Sequence, residues 1–200
     1  RGRGAVRLAS TGLPGWRTLA RRLRQHGFRL LPAAASGGIL LTPSWPPPPG
    51  VPVGQRVLVL ADARTALPAG WPVRVVARTG NLSGDWISNF NWVNTRRGPF
   101  AFLRAFDPVL GREAAAITPR YLLTPPPAGQ QGAEPAGFFL GWVHASHALA
   151  LMARIHKAKV FITTFPWARA YGRDPLATAM LNATVADISA PAFHPRWRLP

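Results

Sequence analysis

The stretch Gly84-Asp85-Trp86-Ile87-Ser88-Asn89-Phe90-Asn91-Trp92 is the densest polar and aromatic cluster in the chain. Asp and Asn side chains can grip vicinal hydroxyls, and Trp faces stack on the C–H face of a sugar ring. A stretch that combines Asp85, Trp86, Asn89, Asn91 and Trp92 therefore suits a carbohydrate. The same residues also suit a plainer task. Trp86, Phe90 and Trp92 could fill the core beneath a long loop, while Asp85, Ser88, Asn89 and Asn91 satisfy turn backbone. On residue chemistry alone the plainer task outweighs the first.

His144 and His147 stand three apart, a spacing that puts two imidazoles on one face of a helix. No carboxylate or third His lies close in sequence, so a role at a helix start outweighs a metal site, and no metal or cofactor is expected. His26, His156 and His194 have no evident partner. Glycoside hydrolysis normally needs two carboxyl groups, about 5 Å apart for retention and further for inversion. The chain has seven acidic residues. Asp174 reads as a helix cap, Asp187 falls near a helix end, and Asp85, Asp107 and Glu113 lie in irregular sequence, so no catalytic pair is assigned. No Gly-x-Ser-x-Gly elbow, P-loop or Gly-x-Gly-x-x-Gly joins a strand to a helix. Asn81-Leu82-Ser83 and Asn182-Ala183-Thr184 match glycosylation sequons, a pattern common by chance.

Composition narrows the class without naming a function. With 200 residues, 48% of them hydrophobic, the chain can bury one sizeable core. It has no cysteine, which excludes disulfides, thiolate zinc sites and a cysteine nucleophile. No run approaches the ~20 apolar residues that span a bilayer, and no apolar segment follows the basic start as in a signal peptide. The compartment stays open, cytoplasmic or secreted. The chain opens on Arg1 rather than Met, as expected of a fragment or processed chain. Lys and Arg number 24 against 7 acidic residues, a formal charge of +17. Such an excess suits a polyanion partner. A coding bias towards Arg, Ala, Gly and Pro outweighs that reading, and the 22 prolines agree with the bias. The basic residues are scattered; only Arg17, Arg21, Arg22 and Arg24 group tightly.

Residues 1–15 are turn-rich. From Trp16, the set Trp16, Leu19, Ala20 and Leu23 marks one face of a helix, the arginines take the other face, and Gly27 is its stop. Gly38–Thr42 is a short apolar run, and the prolines at 46–49 form a loop or stiff connector. Arg56–Ala61 reads as a strand buried on both faces, as in a parallel sheet. Val73–Ala77 is a second strand after a turn at Leu67–Gly70. Residues 80–112 read as a long, partly ordered loop, and Pro125–Gly137 as another. Phe138–Val143 is a strand candidate, Ser146 caps a helix running to Ile155, and Val160–Phe165 is a strand. Asp174-Pro175 starts a last helix, with Ala177, Leu181, Val185 and Ile188 as its buried stripe. Strands alternating with helices predict an α/β three-layer sandwich with a mostly parallel sheet, flavodoxin-like. Residues 1–50 are the ill-assigned start of the domain that fills 51–200.

Several short motifs together resemble bacterial family 2 glycoside hydrolases, the β-galactosidase and β-glucuronidase relatives. They are Leu67-Pro68-Ala69-Gly70-Trp71-Pro72, the 84–92 stretch, Phe139-Leu140-Gly141-Trp142-Val143-His144, Val160-Phe161-Ile162-Thr163-Thr164-Phe165 and Gly172-Arg173-Asp174-Pro175-Leu176-Ala177-Thr178. The resemblance covers roughly residues 55 to 190 and leaves the proline-rich first 50 with little match. It implies a segment carboxyl-terminal to a catalytic (β/α) barrel, an accessory domain of flavodoxin-like or class I glutamine amidotransferase-like type. The barrel's two glutamates have no counterpart here, and without cysteine no amidotransferase nucleophile exists.

The resemblance implies a non-catalytic domain of a parent acting on β-galactosides or related carbohydrates, structural or sugar-contacting, with homo-oligomer formation open. The candidate sugar contacts are Asp85, Trp86, Asn89, Asn91 and Trp92, then Trp142 and His144. The alternative is a basic nucleic-acid-binding module, ranked below because no nucleic-acid motif is present. A free-standing small-molecule enzyme would instead place a pocket with convergent polar groups at the carboxyl ends of the parallel strands.

Overall fold

Two apolar runs, β4 (Arg56–Leu60) and β11 (Ala158–Thr163), lie side by side in parallel, with Val57 opposite Val160, Leu58 opposite Phe161 and Val59 opposite Ile162. All six residues are fully buried. The computed structural model describes residues 4–9, 12–47, 55–79, 90–104, 109–110, 112–128, 132, 135–140 and 146–200. Around the central pair stand β1 (Ala5–Leu8), β2 (Arg29–Leu31), β3 (Ile39–Thr42), β5 (Val75–Ala77) and β6 (Phe90–Val93). The remaining strands are β7 (Val109–Leu110), β8 (Tyr121–Leu123), β9 (Gly137–Leu140), β10 (Ser146–Ile155) and β12 (Arg198–Leu199). The strand order is β2-β1-β3-β4-β11-β10-β9-β6-β7, with β12 and β8 also pairing β10, and β5 pairing β8.

The fold is α/β, and its sheet is mixed rather than mostly parallel. From β2 to β11 every neighbour is parallel. From β11 through β10, β9, β6 and β7 every neighbour is antiparallel. The switch comes at the two-residue turn joining β10 to β11, where His156 takes φ 48°. Tight hairpin turns call for positive φ at a central position, and His tolerates it better than a branched residue.

Side chains alternate across the central strands. Leu58, Leu60 and Phe161 join a cluster that contains the buried faces of α1 (Trp16–Gln25), α2 (Trp167–Ala170) and α3 (Pro175–Ser189). Val57, Val59, Val160 and Ile162 join a second cluster closed by Trp45, Trp71, Trp197 and Leu199. Among the described residues no helical side chain belongs to that second cluster. One face of the sheet is thus packed by helices and the other by indoles, with Trp45 and Trp71 stacked at 6.1 Å.

The first helix follows its apolar spacing. Trp16, Leu19, Ala20 and Leu23 are buried. Gly27, at φ 86°, ends it: its N–H donates to the Arg24 carbonyl at 3.0 Å, and Phe28 N–H to the Leu23 carbonyl at 3.0 Å. This paired arrangement satisfies two carbonyls that the helix end would otherwise leave open. At α3, the Asp174 side chain accepts from Ala177 N–H at 2.7 Å and Pro175 occupies the first turn, as the sequence predicts. The stripe Ala177, Leu181, Val185 and Ile188 is buried.

Four expectations are corrected. Ser146–Ile155 is strand β10, not a helix. Its Ala, Leu and Met content favours helix, but pairing with β11, β9, β8 and β12 claims its backbone groups. Within the turn-rich start, Ala5–Leu8 is an interior strand; the cation at Arg7 interrupts its apolar run and hides the pattern. The stretch 80–112 holds β6, β7 and short 3-10 helices at Ala101–Leu103 and from Arg112. Arg22 leaves the exposed face expected for it. It is buried, and its Nη1 donates to the carbonyls of Arg169 (3.2 Å) and Tyr171 (2.8 Å), tying α1 to the approach to α3.

Asp187 lies in the last turn of α3, and burial raises its carboxyl above the ordinary carboxylate range. The native state therefore binds this proton more tightly than the unfolded chain does. Stability falls as pH rises from the ordinary carboxylate value to the raised one, and stays lower above it. Asp187→Asn should be more stable than the parent near about pH 7 and lose that advantage in acid below the ordinary carboxylate range. Denaturant titration of both proteins at the two pH values measures this; equal stability at both would contradict it.

Candidate functional site

Asn91 and Trp92 are consecutive on β6 and so project to opposite faces. Asn91 is buried, and its Oδ1 accepts from Arg78 Nη1 at 2.9 Å. Trp92 is half-buried and lies opposite Phe138 of β9, ring on ring at 5.9 Å and 4°. Its indole N–H is buried without a hydrogen-bond partner. Asn91 thus bonds a side chain from a strand position rather than turn backbone, and Trp92 stacks across the β6–β9 pair. Asp85, Trp86, Asn89, Trp142 and His144 lie outside the described residues, as do Asp107 and the sequon at 81–83.

Strand pairing nevertheless relates the two candidate stretches. Phe90 pairs with Leu140. Phe90, the first residue of β6, and Leu140, the last of β9, therefore lie at the same end of two adjacent strands. His147 sits on β10 opposite Phe139 rather than on a helix. Among the described residues no three His, Cys, Asp or Glu side chains gather as metal ligands.

Three described acidic side chains are each placed elsewhere. Asp174 caps α3, Asp187 sits near the far end of that helix, and Asp62 pairs with Arg64 at 2.9 Å. This pairing favours the charged guanidinium of Arg64. Thirteen residues of helix separate Asp174 from Asp187, about 20 Å at 1.5 Å per residue.

A different site lies at the carboxyl ends of β4 and β11, which sequence reasoning reserved for a small-molecule enzyme. Leu60 and Ala61 at the end of β4 and Thr164 just past β11 line a cleft of about 220 Å³. Trp16 and Phe165, both buried, supply apolar walls. Tyr121 and the guanidinium residues Arg64, Arg120 and Arg169 line it with Asp62.

Each part has a local cause. β10 shifts register against β9 between Ala148 and Ala150, and on its other edge the Leu149 carbonyl faces β11. That carbonyl accepts from Thr163 Oγ1 at 3.0 Å and from Thr164 N–H at 3.0 Å, fixing the exit of β11. Arg78 N–H donates to the Arg120 carbonyl at 2.9 Å, and Arg22 holds the Arg169 carbonyl. These cleft residues come from four separated segments, so no sequence motif announces them. The one available signal was the strand β4 to β11 geometry itself, since sites on such sheets sit beyond the carboxyl ends of strands.

At the opposite ends of the same strands, cations serve the scaffold. Arg56 Nη1 donates to the carbonyl of Ser189, at the end of α3, and Lys159 Nζ donates to that of Phe193 at 2.7 Å. Burial first, then Arg56 and Arg154, lower the Lys159 ammonium pKa. Arg7 is fully buried, with Nη1 on the Ala33 and Ala35 carbonyls and Nη2 on Gln55 Oε1 at 2.8 Å. Burial lowers its pKa as well.

No protein-family model matches the chain, and no curated protein matches it.

Asn91→Ala removes an acceptor from the part-buried Arg78 guanidinium and should cost about 1–3 kcal/mol, while Asn91→Asp keeps the acceptor and most of the stability. Urea unfolding decides this. An Asn91→Ala protein as stable as the parent would show that the Arg78 contact contributes nothing.

Proposed function

We propose that this chain is a non-catalytic accessory domain of a glycoside hydrolase acting on β-galactosides or related carbohydrates, structural or sugar-contacting. The observation that carries the reading is the contiguity of its motifs. The described ends of two motifs, Phe90–Trp92 and Phe139–Leu140, and the run Val160–Thr163 lie on β6, β9 and β11, linked through β10 in one sheet. The motif Gly172–Thr178 opens α3, which packs on that sheet through Leu181 and Val185. Segments scattered over a hundred residues of sequence thus share one structural unit.

A flavodoxin-like ancestry for the parallel half agrees with this. The order β2-β1-β3-β4-β11 is the 2-1-3-4-5 order of that doubly wound class, counting β11 as the fifth parallel strand. The antiparallel extension beyond β11 and the indole-covered face depart from it.

The formal charge of +17 keeps the nucleic-acid reading as the second. Its exposed arginines are distributed over α1, β2, α2, β10 and β12 rather than along one element. No described helix is long and apolar enough to cross a membrane.

Calorimetric titration of the whole chain with methyl β-galactoside and methyl β-glucuronide tests the sugar-contacting role. Saturable binding, weakened about tenfold in Trp86→Ala, is expected. No binding of either sugar, or binding indifferent to Trp86→Ala, removes that role. The nucleic-acid reading instead requires affinity for duplex DNA that falls at least tenfold between about 50 and 200 mM salt.

A further inference from the structure

We infer that the cleft at the carboxyl ends of β4 and β11 binds a small anionic molecule, about one sugar ring in size, through the guanidinium groups of Arg120 and Arg169. The inference does not depend on the glycoside hydrolase reading. It rests on place, size and charge together.

The cleft opens where β4 and β11 end and the chain turns away from the sheet, with Pro14 and Gly15 ahead of α1 on its other side. Its volume of about 220 Å³ falls below the roughly 300–1,000 Å³ of pockets for drug-sized ligands, so a polymer or a dinucleotide does not fit within it. Three arginines and one carboxylate residue line it, and that carboxylate, Asp62, already pairs with Arg64. Arg120 and Arg169 have no ion-pair partner among the described residues. Their backbones are nevertheless fixed, because Arg78 and Arg22 hold their carbonyls. Both side chains thus start from anchored backbone positions at the cleft.

Arginine's planar fork matches the oxygens of a carboxylate or a phosphate, so either group supplies the anion. The buried Trp16 and Phe165 provide apolar walls for the body of the molecule, and the Tyr121 hydroxyl provides a hydrogen bond for a ring substituent. A hydroxylated ring carrying one carboxylate or phosphate satisfies all three features.

Titration of the whole chain with D-glucuronate, glucose 6-phosphate and glucose tests this. One or both anions should bind at least about tenfold more tightly than glucose, and the tighter of the two identifies carboxylate or phosphate as the group held. Arg120→Gln with Arg169→Gln should weaken that binding about tenfold or more. The control pair Arg154→Gln and Arg198→Gln removes the same charge from β10 and β12 and should leave affinity within about twofold. Both replaced pairs are exposed, so unchanged melting temperatures are expected, and Arg169→Gln alone serves if the double variant melts early. Binding of neither anion, equal binding of glucose, or equal loss in the two double variants would overturn the assignment.

Discussion

The structure depends on one constraint: two parallel strands, β4 and β11, with no side of either left to water. Leu58, Leu60 and Phe161 need cover on the helical face, and Val57, Val59, Val160 and Ile162 need it on the other. Burying an aliphatic side chain of this size contributes roughly 1.5–3 kcal/mol each, so neither layer is dispensable. The helices α1 and α3 meet the first need. The indoles of Trp45, Trp71 and Trp197 meet the second, and this explains why so proline-rich a chain keeps large aromatics in its loops. A loop cannot offer a helical stripe, but one indole covers what several aliphatic side chains would.

The antiparallel half follows from β11. Its hairpin with β10 extends the sheet in the other sense and brings β9 and β6 alongside. The irregularity in β10 places both Leu149 and Ala150 in the helical-face cluster. On the β11 side, the Leu149 carbonyl holds Thr163 and Thr164 where the chain leaves that strand, beside the cleft.

How far the sequence disclosed this depended on where each element gets its stability. Local signals sufficed for α1, with Trp16, Leu19 and Leu23 on one side and Gly27 at its end, and for α3, with Asp174-Pro175 at its start. Continuous apolar runs sufficed for β3, β4 and β11. β10 was unreadable because Ala148–Ala153 favours helix and becomes strand only through partners distant in sequence. β1 was hidden by Arg7, whose charge is held by backbone carbonyls and Gln55 rather than by any neighbour in sequence. Of the proposed sugar contacts, Asn91 and Trp92 occupy internal positions. The arginines of the cleft were legible only as part of a diffuse basic excess. Their meeting at one opening is a product of the fold.

The excess itself divides by use. Arg7, Arg22, Arg56 and Lys159 donate to carbonyl oxygens inside or at the edge of the scaffold, replacing the carboxylates that the chain lacks. What remains exposed can meet a ligand. All of this hangs on the registered pairing of β4 with β11, and nuclear Overhauser contacts in the labelled whole chain test it most directly. The account predicts amide-to-α contacts linking Leu58–Ala61 with Phe161–Thr164, and no close α-to-α contacts between the two strands, as parallel neighbours require. Strong α-to-α contacts between them, or none of any kind, would contradict it.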